Sequence, residues 1–178
     1  MDDDNNEVTH CNVSGELCVR GPTVVPGYHN NPTANEAFDS DGFYHTGDIG
    51  YCDAKSKLWY IVDRKKELIK VRGFQVAPSE LEAVLLSHPQ IVDSAVLGVQ
   101  FGRDESQLPR AYVVRRSGLE GEKLTENDVK RHMEQKLANY KRLDGGIKFV
   151  GAIPRNASGK ILRRILRDEA KKELEAKL

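Results

Sequence analysis

Apolar and polar side chains alternate along Glu16-Leu17-Cys18-Val19-Arg20, a period of two that predicts a strand ending at Gly21-Pro22. Pro26-Gly27 marks a turn, Pro32 to Phe38 a short helix, and Asp39-Ser40-Asp41-Gly42 a further turn before a Phe43-Tyr44 strand. Leu58-Trp59-Tyr60-Ile61-Val62 is aromatic and β-branched, which predicts a buried strand. The charged run Asp63-Arg64-Lys65-Lys66-Glu67 then breaks the pattern and is a candidate domain boundary, separating residues 1–62 from 63–178. Beyond it, Leu68 to Val71 reads as a short strand stopped by Gly73. Pro78 to Glu82 opens a helix whose inner face holds Leu81, Val84 and Leu85. Val92 to Val99 and Ala111 to Val114 read as strands around a loop from Gly102 to Pro109. Thr125 and Asp128 mark a helix N-terminus with Val129, Met133, Leu137 and Tyr140 facing inward. Ile147 to Val150 is a last strand. A C-terminal helix follows, with Ser158 as its N-cap and Ile161, Leu162, Ile165 and Leu166 as its apolar face. The second part is therefore α+β, and the first is rich in strands. Met1 to His10 is polar and acidic and is expected to fray.

Composition narrows the class. With 39% hydrophobic and 30% charged residues, the 178-residue chain can bury a core and reads as a soluble protein. Cys11, Cys18 and Cys52 are odd in number and lack a CxxC spacing, so reduced thiols are expected rather than a disulfide framework or a zinc site. No apolar run reaches membrane-spanning length, and no secretory signal opens the chain. The zero net charge conceals an asymmetry: residues 1–62 carry 10 acids and 3 bases, and residues 63–178 carry 17 acids and 24 bases. A basic second part fits a polyanionic partner. Few aromatics interleave its charges, so a small phosphorylated ligand fits at least as well as a nucleic acid.

Four segments carry candidate chemistry. Pro154-Arg155-Asn156-Ala157-Ser158-Gly159-Lys160 sets one lysine on a loop of turn formers before a helix, where a cation and free helix-start amides both suit an anion. It is not a nucleotide-binding P-loop, because Pro154 stands where that motif needs glycine and Ile161 where it needs the magnesium-binding serine or threonine. Tyr44-His45-Thr46-Gly47-Asp48 is a strand running into a glycine turn that ends in a carboxylate, a group able to take both hydroxyls of a ribose. Asp63 to Glu67 and Lys70-Val71-Arg72-Gly73-Phe74-Gln75 complete the set, Gly73 being a place for close backbone approach or a bulge. Singly, each has a bland counterpart: a solvated lysine, a common Gly-Asp turn, a charged surface.

Taken in order, Gly15-Glu16-Leu17, Gly27-Tyr28, Thr46-Gly47-Asp48, Asp63-Arg64, Lys70-x-x-Gly73, Pro78-x-Glu80-Leu81-Glu82 and Gly159-Lys160 form a series. It resembles the C-terminal part of the adenylate-forming superfamily of acyl-CoA synthetases, luciferases and peptide-synthetase adenylation domains. Ile61 to Pro89 is most similar to the 4-coumarate–CoA ligase and luciferase branch. The resemblance implies an α+β domain with a short two-stranded segment and a mixed three-stranded sheet packed by helices, preceded by the mostly β tail of a larger AMP-binding domain. It implies that Asp48 holds the ribose of ATP and of the acyl-adenylate, and that Arg64 supports the nucleotide beside it. Lys66 would be the hinge about which the small domain swings. Lys160 would face the α-phosphate and carboxylate as the adenylate forms. Lys70 and Gln75 would come in after rotation or contact the nucleotide, and Arg72 and Gly73 would line the pantetheine path of CoA.

The same resemblance implies a ligase using ATP, CoA and a carboxylic acid, with Mg2+ accompanying ATP and no metal ligand assigned in this chain. The family's glycine- and Ser/Thr-rich phosphate loop and its acyl pocket are not found in the sequence. The chain alone is therefore expected to lack catalysis and to need the larger N-terminal domain. A non-catalytic interaction module and a luciferase-like oxygenase fragment are the alternatives. No nucleic acid is expected as partner. Ala176-Lys177-Leu178 resembles a Ser-Lys-Leu peroxisomal address, so a peroxisomal or cytoplasmic location is expected.

Overall fold

Strands β1 (Gly15–Val19), β2 (Tyr44–Cys52) and β3 (Trp59–Arg64) pair antiparallel in the order β1-β2-β3. The computed structural model describes residues 1–2, 6–100 and 106–175. It divides into two compact units, Met1–Lys66 and Glu67–Leu178, the three-stranded sheet belonging to the first. The charged run is not a linker at its start: Asp63 and Arg64 are rungs of β3 opposite Ile49 and Asp48, and the Lys65 N–H donates to Gly47 O at 2.7 Å.

Four local expectations change in this unit. Helix α1 spans only Pro32–Asn35, capped by the Asn31 side chain. It stops before Phe38 because Ala37 O accepts the His45 N–H and Phe38 bridges Tyr44, drawing the chain back to the sheet. The Tyr44–Asp48 segment does not leave the sheet at Gly47; β2 continues to Cys52. The aromatic strand is not buried: Leu58, Trp59 and Ile61 are 60%, 66% and 57% exposed, since β3 is an edge strand and Ile49 is the unit's one buried apolar side chain among the described residues. Met1 does not fray, because its carbonyl accepts the Glu16 N–H at 2.7 Å and its amino group donates to Glu16 O.

In the second unit, β4 (Ile69–Val71) and β5 (Phe74–Val76) form a tight hairpin, followed by α2 (Pro78–Leu86). Strands β6 (Ile91–Gln100) and β7 (Gln107–Arg115) pair antiparallel, and β8 (Ile147–Phe149) adds parallel to β7, giving the mixed three-stranded sheet. Helices α3 (Leu119–Glu122) and α4 (Glu126–Glu134), a 3-10 turn at Asn139–Lys141 and α5 (Arg163–Glu175) complete an α+β unit. The side chains of β6 alternate between two cores. Val96 joins Ile69, Val76, Leu81, Leu85, Val129 and Met133 on one face of the sheet. Ala95 and Leu97 join Tyr112, Leu166 and Ala170 on the other. Each fully buried leucine contributes about 1.5–3 kcal/mol, so this unit holds itself together by burial. Thr125 and Asp128 form a reciprocal capping box at the start of α4. That helix ends at Glu134, so Leu137 and Tyr140 pack from the segment after it. Of the loop expected from Gly102 to Pro109, residues Gly102 to Glu105 lie outside the described residues, and Gln107 to Pro109 belong to β7. Ala176-Lys177-Leu178 also lies outside them. No helix among the described residues is long and apolar enough to cross a membrane.

Candidate adenylate-binding and catalytic site

The first unit carries Asp48 and Arg64 directly opposite one another on β2 and β3. Arg64 Nε donates to Asp48 Oδ1 at 2.7 Å, and the carboxylate stays partly exposed. One oxygen is thus oriented by a guanidinium while Oδ2 is open among the described residues, the form in which a carboxylate can accept from a vicinal diol. The backbone beneath is fixed from several sides. The Asp48 N–H donates to Thr46 Oγ1, whose hydroxyl donates to Leu17 O.

Glu16, known from the sequence only as part of the Gly15-Glu16-Leu17 segment, organises this region. It is 8% exposed, and its Oε1 accepts the Gly47 N–H at 3.0 Å. Oε2 accepts from Lys65 Nζ at 2.9 Å and faces His45 Nδ1 at 3.3 Å. Burial pushes the Glu16 carboxyl up, but hydrogen bonds from Lys65 and His45, the Lys65 charge and the Gly47 N–H outweigh it. The carboxyl therefore lies below its ordinary value. An acid within an alternating strand was the available signal; its inward direction emerges only once β1 is paired with β2. With Cys18 and His45, Glu16 also forms a three-ligand cluster. Its oxygens are already engaged by Lys65 and Gly47, and a thiol and an imidazole do not suit the oxygen preference of magnesium. Magnesium therefore gains no ligand set there. Lys66, the last residue of the unit, is exposed.

The second unit carries the remaining residues. Lys70 and Gln75 are cross-strand partners in the β4–β5 hairpin, so they share its outward face while Ile69 and Val76 share the inward one. Arg72 and Gly73 form the turn with φ of +48° and +86°. Two successive left-handed residues give the hairpin turn that matches strand twist, and glycine takes the second position without a Cβ clash. The Arg72 N–H donates to Ser106 Oγ at 3.0 Å, and the Lys70 N–H donates to Gln107 Oε1 at 3.2 Å. The hairpin tip is therefore braced from β7 and the residue before it.

Lys160 is not at the mouth of a helix. Arg155 and Ile161 form an antiparallel bridge, and the Leu162 N–H donates to Pro154 O at 2.8 Å. These bonds hold Ile161 and Leu162 outside α5, which begins at Arg163, so Ser158 caps nothing and the helix-start amides are three residues away. Ile165 is exposed rather than on the inner face. Lys160 instead stands on a closed loop, exposed, its ammonium in no ion pair among the described residues. The loop is anchored through α5, whose Leu166 and Ala170 are buried. Tyr112 donates to Leu166 O at 3.0 Å, and Glu173 pairs with Arg110 and Lys148.

Residues 80–160 match the model of the AMP-binding enzyme C-terminal domain. Similarity extends beyond that segment. A phenylacetyl-CoA ligase of Aspergillus niger (epaB) is 57% identical over 172 residues, 96% of this chain and 31% of the relative. A probable 4-coumarate–CoA ligase of Dictyostelium discoideum is 51% identical over 155 residues, 86% of this chain and 27% of the relative. The chain belongs to the adenylate-forming superfamily. It spans about a third of the length of the curated relatives it matches. Among solved structures, ATP-bound MatB from Rhodopseudomonas palustris superposes with a TM-score of 0.84 at 32% identity, covering 97% of this chain and 33% of that one. The anthranilate CoA ligase AuaEII, in complex with anthranoyl-AMP, superposes with a TM-score of 0.77 at 28% identity, covering 99% and 32%. Both units of the chain, not only the matched 80–160 segment, thus have counterparts in the relatives.

Proposed function

We propose that the chain works as the C-terminal part of an ATP-dependent acyl- or aryl-CoA ligase. The observation that carries this is the 57% identity to a phenylacetyl-CoA ligase across 96% of the chain, with every residue of the candidate set inside it. In the proposed reaction a carboxylate oxygen of the substrate attacks the α-phosphorus of ATP, and pyrophosphate leaves. The CoA thiolate then attacks the acyl carbonyl of the adenylate, and AMP leaves.

Asp48 takes the ribose hydroxyls with the open oxygen that Arg64 leaves to it. Lys160 supplies positive charge where the α-phosphate and attacking carboxylate gather negative charge, an interaction stronger in the transition state than with either reactant. Lys70 and Gln75 present a second polar face for the nucleotide, and Arg72 and Gly73 border the pantetheine arm of CoA. Lys66 ends the first unit and is the pivot between presentations of those two faces. Magnesium travels with the ATP phosphates. The acyl pocket and the phosphate loop belong to an N-terminal AMP-binding domain, and the exposed Trp59 and Ile61 of β3, with Leu58 just before it, support a place at the edge of such a domain. On this account the chain by itself does not turn over substrate.

Carboxylate-dependent exchange of pyrophosphate into ATP by the complete polypeptide, across aliphatic and aromatic acids, tests the proposal. Exchange with at least one acid, and a CoA thioester when CoA is added, is expected. Binding of a partner protein with no exchange for any acid would favour the non-catalytic module.

A further inference from the structure

The loop carrying Lys160 is built around one side chain that the proposed chemistry does not use. Asn156 Oδ1 accepts three hydrogen bonds, from the Ser158 N–H at 3.1 Å, the Ser158 hydroxyl at 2.8 Å and the Lys160 N–H at 2.8 Å. The backbone closes on the same residue: the Asn156 N–H donates to Lys160 O at 3.0 Å, and the Gly159 N–H donates to Asn156 O at 3.0 Å. Both peptide groups that set the direction of the Lys160 side chain therefore end on Asn156. Gly159, at φ +83°, makes the left-handed bend this closure requires, and only glycine adopts it without strain.

A second tie fixes the loop to the sheet. Arg155 Nη1 donates to Gly159 O at 2.7 Å, while its Nη2 and Nε fork onto the two carboxylate oxygens of Asp93 at 2.8 and 3.4 Å. Asp93 sits where the β6–β7 register shifts, and such an irregularity re-aims a side chain out of the regular pleat. Its Oδ1 also accepts the Ser94 N–H at 2.9 Å, so the anchor itself is held.

From Arg155 to Lys160 every residue is exposed. The loop adds no apolar burial, so its internal bonding is poorly explained as a contribution to stability. We propose that Asn156, with the Arg155–Asp93 pair, is a positioning assembly that fixes the origin and direction of the Lys160 side chain. The proposal rests on the adenylation role of Lys160. A lysine stem has several rotatable bonds, and displacement of its Cα by about 1 Å moves the ammonium enough to cost roughly 100-fold in rate.

Two measurements test it. In the 178-residue chain, Asn156→Ala should raise amide hydrogen exchange at Lys160 by about 10-fold or more, without change at the buried α5 positions Leu166 and Ala170. Asn156→Asp, which keeps an acceptor at the same place, should restore protection. Unchanged exchange at Lys160, or acceleration spreading through α5, would overturn the proposal. In the complete polypeptide, Asn156→Ala and Arg155→Ala should slow adenylation by roughly 10- to 100-fold. Thioester formation from supplied acyl-adenylate should stay within about twofold, since a lysine used only for adenylation is not needed there. Equal loss in both half-reactions, or none in adenylation, would overturn it. Lys160→Ala run alongside separates the two levels. If that variant still adenylates, the role of Lys160 itself is refuted and the proposal with it. If it does not and Asn156→Ala does, only the positioning claim fails.

Discussion

The two units solve the problem of staying folded in opposite ways. The second buries apolar side chains on both faces of a three-stranded sheet, with Tyr112, Leu81, Leu85, Val96 and Leu166 fully enclosed. The first has Ile49 as its one buried apolar side chain among the described residues and gathers instead around the buried carboxylate of Glu16. A hydrophobic core is tolerant of local rearrangement. A carboxylate shared by Gly47, Lys65 and His45 is not, because each lost partner leaves a charge unsatisfied. The unit with Asp48 is thus held by geometry, and the unit with Lys160 by burial.

The sharpest way to break this comparison is to delete a core side chain in the second unit. Leu81→Ala should cost about 2–5 kcal/mol in chemical denaturation followed by far-ultraviolet circular dichroism, which reports mainly on α2, α4 and α5. Glu16→Gln should cost the first unit about 1–3 kcal/mol, read from the fluorescence of Trp59, the single tryptophan. Its pH dependence has a definite sign. The Glu16 carboxyl is lowered in the folded state, so its contribution is fully present above the ordinary glutamate pKa and is lost as pH falls through the lowered one. The wild-type chain should lose Trp59-monitored stability across that window, and Glu16→Gln should show a flatter profile. Thr125→Ala removes one side of the α4 capping box and should cost about 1 kcal/mol, confined to the second unit. Ile61→Ala, on the exposed face of β3, should change stability by less than about 0.5 kcal/mol. A penalty for Ile61→Ala as large as that for Leu81→Ala would mean that the first unit has a core after all.

These effects also mark what the sequence made visible. The Thr125–Asp128 box and the strands β6, β7 and β8 were legible because each rests on a local rule: a cap spacing, an apolar run. Gly73 reads in the sequence as a strand stop, with close backbone approach or a bulge as its role, whereas it is the second residue of the β4–β5 hairpin turn. Trp59 and Ile61 misled because β-branched and aromatic character shows that a strand forms, not whether anything covers it. Ser158 misled for a related reason. Its cap signature is genuine, but the Arg155–Ile161 bridge competes for the same backbone and keeps it extended to Leu162. The candidate residues themselves were found by their order along the chain. Their pairing was not, since the Asp48–Arg64 ion pair and the Glu16 cluster depend on the register of β1, β2 and β3.

The central claim, that Lys160 serves adenylate formation while other surfaces of the second unit serve thioester formation, is tested most directly by assaying Lys160→Ala in the two half-reactions separately. The complete polypeptide carrying this substitution should lose carboxylate-dependent pyrophosphate exchange by roughly 100-fold or more and still convert supplied acyl-adenylate and CoA to thioester at near the unsubstituted rate. Equal loss in both half-reactions, or adenylation that survives the substitution, would contradict it.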